Sequence, residues 1–166
     1  MLRPALTALL LAASLPVAAE SLNYNIVEFS ESANMEVPRD TMTAHFSVNA
    51  EGKDRQAVNQ DFMKKFNQFN KISQNSKFKA ELMERNASPR YQYTNGKRTQ
   101  TGWEEHAYFK VESKDFEALN RLIADSINIA VLESSSFSVS KEKREETVDQ
   151  LSKAVILRFK DRAQNL

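Results

Sequence analysis

The feature that most constrains this fold is an unbroken alternation of apolar and polar residues from Thr41 to Glu51. The apolar side chains fall on the even positions, from Met42 to Ala50, with polar side chains between them. Successive side chains of a β-strand point to opposite faces, so this pattern predicts a strand with one buried and one polar face. A polar face is typical of antiparallel sheets, which cover one side and leave the other in water. We therefore predict an antiparallel sheet with a single covered face.

Three helices are predicted along the chain. Beyond Gly52 the apolar residues recur at a spacing of three and four, which indicates an amphipathic helix with Asp54 as its N-cap. A second helix is predicted after Asp115, which would cap it in the same way. A third is predicted from Lys141 onwards.

Shorter alternating patterns predict further strands at 27–37, 78–84, 103–111 and 131–140. Pro38 separates the first of these from the strand that begins at Thr41, which favours a hairpin between the two. Asn95-Gly96 is a strong signal for a two-residue hairpin turn. We predict an α+β fold: an antiparallel sheet with helices on one face, a ferredoxin-like split β-α-β-β-α-β core preceded by a β-hairpin strand, and a C-terminal helix.

Residues 1–19 predict a cleavable signal peptide. Arg3 gives a positive start, an uncharged apolar run follows, and Pro16 precedes small residues that end at Ala19. We expect cleavage after Ala19 and a location in the periplasm or outside the cell.

The remaining sequence predicts a short leader over 20–25 and one domain over 26–166. No later stretch is long and apolar enough to cross a bilayer, so we expect no integral membrane segment after cleavage. The apolar stripe of the last helix continues to Leu166 without a stop signal. We expect this helix to pack either on chain beyond Leu166 or on another subunit.

Composition excludes several classes of function. Cleavage removes one of the 23 basic residues and none of the 22 acidic ones, so the remaining chain is formally neutral and lacks the charge that nucleic-acid binding requires. The chain has no cysteine, which excludes thiol redox chemistry and cysteine-ligated metal. No nucleophile elbow, zinc-protease motif or phosphate loop is present. We expect a protein that is not an enzyme and has no cofactor.

Aromatic residues in and after a polar hairpin form the candidate binding surface. Tyr and Trp bury a large area at a small entropic cost, which suits a binding or assembly surface. The alternative is cross-strand pairing that fixes the register of the hairpin. The candidate residues are Arg90, Tyr91, Tyr93, Trp103 and Tyr108.

Two histidines define the alternative site. His45 and His106 fall on the polar faces of strands that are neighbours in a ferredoxin-like order. If they lie close together, they could bind a metal with Glu104, as an exported metal-dependent or hydrolytic enzyme acting on the open sheet face would require. The competing interpretation is two exposed histidines without a role. We expect no metal.

Two segments resemble the SIMPL domain (DUF541) family. Residues 37–40 (Val-Pro-Arg-Asp), followed by the alternating strand up to Gly52, resemble the start of that domain. Residues 89–97 (Pro-Arg-Tyr-Gln-Tyr-Thr-Asn-Gly-Lys), followed by Gly102-Trp103, resemble its central hairpin. The resemblance covers residues 26–166 and implies a protein of the bacterial periplasm or envelope, linked to oxidative-stress defence and prone to self-association. It implies no catalytic residue and identifies no ligand, so the predicted function is a non-enzymatic scaffold or binding module.

Overall fold

The computed structural model describes residues 26–165. The predicted signal peptide (1–19) and leader (20–25) lie outside the described residues. The chain divides into two units after Glu31, and the described part of the first, residues 26–31, forms neither helix nor strand. The described elements are β1 (Thr41–Gly52), α1 (Arg55–Ser73), β2 (Lys79–Thr94), β3 (Lys97–Ser113), α2 (Phe116–Asp125), β4 (Val131–Ser138) and α3 (Lys141–Gln164).

The four strands form one antiparallel sheet in the order β2-β3-β1-β4. The first and third strands therefore lie side by side at the centre, which is the split β-α-β arrangement of ferredoxin-like domains. The predicted α+β fold, with an antiparallel sheet and a C-terminal helix, is confirmed.

The even-numbered side chains of β1 form the centre of the core, as the alternation predicts. Phe46 is fully buried, and its ring centroid lies 4.9 Å from that of Phe69 on α1. Phe69 is also 4.9 Å from Phe109 on β3. Tilted ring contacts of this kind add to the free energy gained by burial. The helix is thus fixed across the two central strands.

Both predicted N-caps are confirmed. The Asp54 carboxylate accepts a hydrogen bond of 2.8 Å from the backbone N–H of Ala57 at the start of α1. The Asp115 carboxylate accepts one of 2.9 Å from Ala118 at the start of α2. Each bond satisfies an N–H group that has no partner within its helix.

The predicted strand over 27–37 does not form, and the hairpin with β1 was wrong. Residues 26–40 contain neither helix nor strand. The reason is that β1 already pairs with β3 on one side and with β4 on the other. A central strand has no edge left for a third neighbour, whatever the alternation in the segment before it.

The third helix begins at Lys141, as predicted, and Ser140 caps it. Among the described residues, this helix buries little of its apolar surface. Thr147 is buried, whereas Val148, Ile156 and Leu157 are each more than half exposed. Among the described residues, no helix has the length and hydropathy needed to span a membrane.

Asp40 joins the entry of β1 to the start of α3. Its carboxylate accepts hydrogen bonds of 2.6 Å from both the backbone N–H and the hydroxyl of Ser140, and Lys114 lies 3.9 Å away. The two hydrogen bonds from Ser140 lower the pKa of Asp40 below its usual 3.8, and the bond from the hydroxyl has a larger effect than the bond from the backbone N–H.

This contact predicts a loss of stability in acid. A carboxylate whose pKa is lower in the folded state stabilises the fold at pH values above its unfolded pKa, and this contribution disappears as the pH falls through the lower, folded value. We expect the free energy of unfolding of the wild type to decrease as the pH drops below 4. The Asp40→Asn variant should show a smaller decrease over the same pH range. Urea unfolding at pH 7 and pH 3 would measure it. An equal decrease in the free energy of unfolding between pH 7 and pH 3 for the two proteins would contradict this assignment.

Candidate functional site

A two-stranded hairpin extends beyond the end of the sheet. β1 ends at Gly52, opposite Trp103, whereas β2 and β3 continue as a pair without it. We call residues 90–101 the hairpin arm. Arg90 is half-buried and residues 91–101 are all exposed, so both faces of the arm are accessible.

The turn at the tip of the arm is the one that the sequence predicts. Asn95 and Gly96 have φ values of 51° and 75°. Two consecutive left-handed residues are typical of a type I′ turn, whose twist matches that of the flanking strands. The arm therefore has a defined shape set by its own sequence.

One side of the arm carries a row of aromatic and guanidinium groups. Tyr91 and Tyr93 are two residues apart on β2, so their side chains lie on the same side of the arm. Arg98 lies directly opposite Tyr93 on β3. The Arg98 guanidinium carbon lies 3.5 Å from the centroid of the Tyr91 ring, a cation–π contact. Tyr93 remains 70 % exposed. One ring of the row is thus paired with a guanidinium, and the other remains uncovered.

The other candidate residues lie in three different places. Trp103 stands at the base of the arm, opposite Pro89 and hence on the same side as the tyrosines; the Arg55 guanidinium is 4.8 Å from its ring centroid. Arg90 points to the other side and forms a 2.8 Å ion pair with Glu51. Tyr108 lies farther along β3, next to His106, and does not join the arm.

A cleft of about 560 Å³ opens beside Trp103, between the base of the arm and the start of α1. Asp54, Arg55 and Glu105 contribute charged groups to its lining, whereas the Glu104 side chain lies on the other face of the sheet, where its carboxylate accepts a hydrogen bond from the Ser88 hydroxyl. Asp54 and Glu104 are exposed. The cleft therefore has a polar and partly aromatic wall, in which the Glu105 carboxylate is paired with Arg85.

Glu105 is the residue of this site that the sequence interpretation missed. Its side chain is 9 % exposed, and both carboxylate oxygens accept hydrogen bonds from the Asn59 amide, at 3.1 and 3.0 Å. An Arg85 nitrogen lies 3.6 Å from one of them. A signal was present, because Glu105 places a charge in the alternating series between Trp103 and Ala107, where an apolar residue is expected.

The two histidines do not form a joint site. His106 lies opposite Asn49 in the β1–β3 ladder, four residues from His45, which corresponds to about 13 Å along the strand. His45 contacts the Ser134 hydroxyl at 3.3 Å, and His106 lies 3.8 Å from Glu84. Neighbouring strands were predicted correctly, but their register separates the two rings. Within residues 26–165, no cluster of three or more His, Asp or Glu side chains could hold a metal ion.

Comparison with protein families gives one match that spans the folded chain. Residues 27–166 match SIMPL, described as "Protein of unknown function (DUF541)". No curated protein matches the chain.

Similar solved structures include a designed protein and a protein bound to glyoxylate. The "De novo designed protein Foldit4" shares 9 % identity with a TM-score of 0.30, over 61 % of this chain and 99 % of that one. A chain described as "AtUAH in complex with glyoxylate" shares 8 % identity with a TM-score of 0.29, over 60 % of this chain and 29 % of that one. Scores this low do not establish a shared fold.

Proposed function

Because this chain belongs to the SIMPL (DUF541) family, we propose that it is a non-enzymatic protein of the bacterial periplasm or envelope that acts by self-association. Its hairpin arm is the contact surface, and its physiological role is in oxidative-stress defence. The signal-peptide pattern of residues 1–19 supports the location, and the family resemblance supports the role.

The observation that carries the proposal is the exposure of the arm. Residues 91–101 are exposed throughout, on both faces of a two-stranded ribbon. An isolated hairpin is only marginally stable in water. Tyrosine and arginine are enriched in protein–protein interfaces, and Tyr91, Tyr93 and Arg98 lie together on one side of the arm. A protein partner would cover these rings and stabilise the ribbon.

The absence of cysteine in the chain favours scaffolding over redox chemistry as the way in which it serves stress defence. A neutral mature chain also favours a protein partner over nucleic acid. Self-association is the simplest form of such binding because it needs no second gene product.

We expect Tyr91→Ser/Tyr93→Ser to reduce the native mass of the assembly. Both rings are at least 39 % exposed, so their loss removes contact area while the core is unchanged. Light scattering after size exclusion would give the mass, and thermal unfolding would show whether the fold is retained. Tyr108→Ser, also an exposed tyrosine of the same sheet but away from the arm, is the matched control and should assemble normally.

The physiological part is tested in cells. A strain lacking the gene is complemented with the wild type or with the double tyrosine variant, fractionated, and exposed to hydrogen peroxide. We expect both proteins in the periplasmic or envelope fraction, and reduced survival with the variant. Recovery of the wild type in the cytoplasm, or equal survival of the two strains, would refute the proposal.

A further inference from the structure

We propose that Met35 and Met83 are sites of reversible oxidation, at which the chain takes up oxygen from peroxides while its core stays intact. The inference does not depend on self-association through the arm. It concerns a different part of the surface, since both methionines lie outside residues 90–101 and outside the lining of the cleft.

Exposure divides the methionines of this chain into two pairs. Of the five methionines, four lie within residues 26–165. Met35 is 50 % exposed and Met83 is 58 % exposed. By contrast, Met42 is 4 % exposed, and Met63 is partly buried against the core. Oxidation requires contact between the sulfur and a dissolved oxidant, so susceptibility follows exposure. Met35 and Met83 therefore carry the sulfur atoms that a peroxide reaches most readily.

The backbone at Met83 leaves room for an added oxygen. The register of β2 with β3 shifts between Leu82 and Glu84, so that Met83 has no partner on β3. Such a shift is a β-bulge, whose extra residue lies outside the ladder of paired residues. Among the described strands, β2 is also at the edge of the sheet, with β3 as its neighbour. A sulfoxide on Met83 can therefore be hydrated without displacing a paired residue.

Met35 lies where no helix or strand would be disturbed. Residues 26–40 contain neither kind of element, and Asn34 and Glu36 on either side of Met35 are exposed as well. Oxidation converts a flexible apolar side chain into a polar one, which is disruptive in a core. Because Met35 is already half exposed, its sulfoxide replaces little packing.

The other two sulfur atoms are protected in different ways. Met42 is buried on the central strand β1, opposite Ser113 on β3 and Phe137 on β4. The Met63 sulfur accepts a hydrogen bond of 3.3 Å from the Arg85 guanidinium. This bond engages a sulfur lone pair, and such a lone pair is what attacks a peroxide. Met42 is thus reached only when the fold opens, and Met63 reacts slowly while Arg85 stays in place.

The reaction is a two-electron transfer of oxygen. With hydrogen peroxide, the thioether sulfur attacks one oxygen, the O–O bond breaks, an S–O bond forms, and the second oxygen leaves as water after proton transfer. The sulfur loses two electrons and the peroxide gains them. A dithiol, acting through methionine sulfoxide reductases, reverses the change, releases the oxygen as water and becomes a disulfide. This chemistry belongs to thioethers, so it needs none of the cysteines that the chain lacks.

Peptide mass mapping after exposure to hydrogen peroxide tests the choice of sites. In the folded protein we expect Met35 and Met83 to be oxidised about tenfold faster than Met42 and Met63. In urea the four rates should converge, because the protection comes from the fold. Oxidation of Met42 or Met63 as fast as Met83 in the folded protein would overturn the inference.

Leucine variants show how much oxygen the two sites take up. Leucine and methionine are similar in volume and both positions are exposed, so Met35→Leu/Met83→Leu should fold. We expect this variant to take up about tenfold less oxygen within residues 26–165 than the wild type over the same exposure. Met63→Leu is the matched control and should take up as much as the wild type. Equal uptake by the double variant and the wild type would contradict the assignment.

Thermal unfolding of the oxidised protein tests whether the core is spared. When Met35 and Met83 alone carry oxygen, we expect the melting temperature to change by less than about 3 °C, as for other surface changes. Methionine sulfoxide reductases with dithiothreitol should then remove both oxygen atoms. Loss of the cooperative transition after oxidation at these two positions, or sulfoxides that the reductases do not reduce in the folded protein, would refute the inference.

Discussion

Gly102→Ala is expected to lower the free energy of unfolding by about 3 kcal/mol. A Cβ atom at Gly102 would lie 2.3 Å from the carbonyl oxygen of Gly52 and 3.0 Å from its carbonyl carbon. Both are backbone atoms of the last residue of β1, so no side-chain rotation relieves the clash. One of the two strands must move.

The same clash should also affect assembly. Gly102 lies where the arm leaves the sheet, next to Trp103, which pairs with Gly52. Separating β1 from β3 at this point would shift the arm relative to the cleft. Urea unfolding and native mass, measured on the same preparation, would show both effects.

Gly96→Ala is the matched control in the same hairpin. Gly96 has a φ of +75°, but a Cβ there would have no atom within 4 Å. The cost is that of a left-handed alanine, about 1 kcal/mol, at the tip and away from the sheet. Equal destabilisation by the two substitutions would show that the close approach to Gly52 has no particular importance.

Much of this fold could be predicted because its signals are local. The alternation of β1, the caps at Asp54 and Asp115, and the Asn95-Gly96 turn each depend on residues that are neighbours in the chain. Each is formed in the structure as predicted. The order of the elements then leaves few ways to arrange an antiparallel sheet with helical crossovers.

The errors concern features that depend on which strands become neighbours and in what register. Residues 27–37 alternate as a strand should, yet both edges of β1 are occupied by β3 and β4. Register likewise decides that His106 meets Asn49 and not His45. Periodicity carries no information on either point, because it describes one strand at a time.

The candidate site shows the same division. Tyr91 and Tyr93 were found from the sequence because the hairpin is local, and the structure joins them on one side of the arm. The cleft was not found, since it forms only when the start of α1 meets β2 and β3. The buried Glu105 carboxylate at the cleft contacts Asn59 on α1 and Arg85 on β2, which are distant from it in the sequence.

Arg85→Met is expected to lower the free energy of unfolding by about 2 kcal/mol. Arg85 lies on β2 with its guanidinium carbon 4.9 Å from the ring centroid of Phe62 and 5.5 Å from that of Phe66, and one of its nitrogens is 3.6 Å from Glu105. Methionine keeps an apolar stem over the rings but removes the charge. The Glu105 side chain is only 9 % exposed. Without Arg85, its carboxylate keeps the hydrogen bonds from the neutral Asn59 amide but loses the positive charge beside it. The figure is below that for a fully buried pair because Arg85 is 40 % exposed.

A double-mutant cycle shows whether the loss comes from the stranded carboxylate. Glu105→Gln keeps an acceptor for Asn59 and is expected to cost about 1 kcal/mol, whereas the double variant should cost about 1 kcal/mol less than the sum of the two single changes. The same type of change at Lys79, whose side chain is 76 % exposed and 3.9 Å from Glu112, is the control and should cost less than about 0.5 kcal/mol. Strictly additive costs for Arg85→Met and Glu105→Gln would mean that the guanidinium stabilises the fold through its contacts with Phe62 and Phe66. A coupling of the expected size would identify Glu105 as the charge that holds β2, β3 and α1 together beneath the cleft.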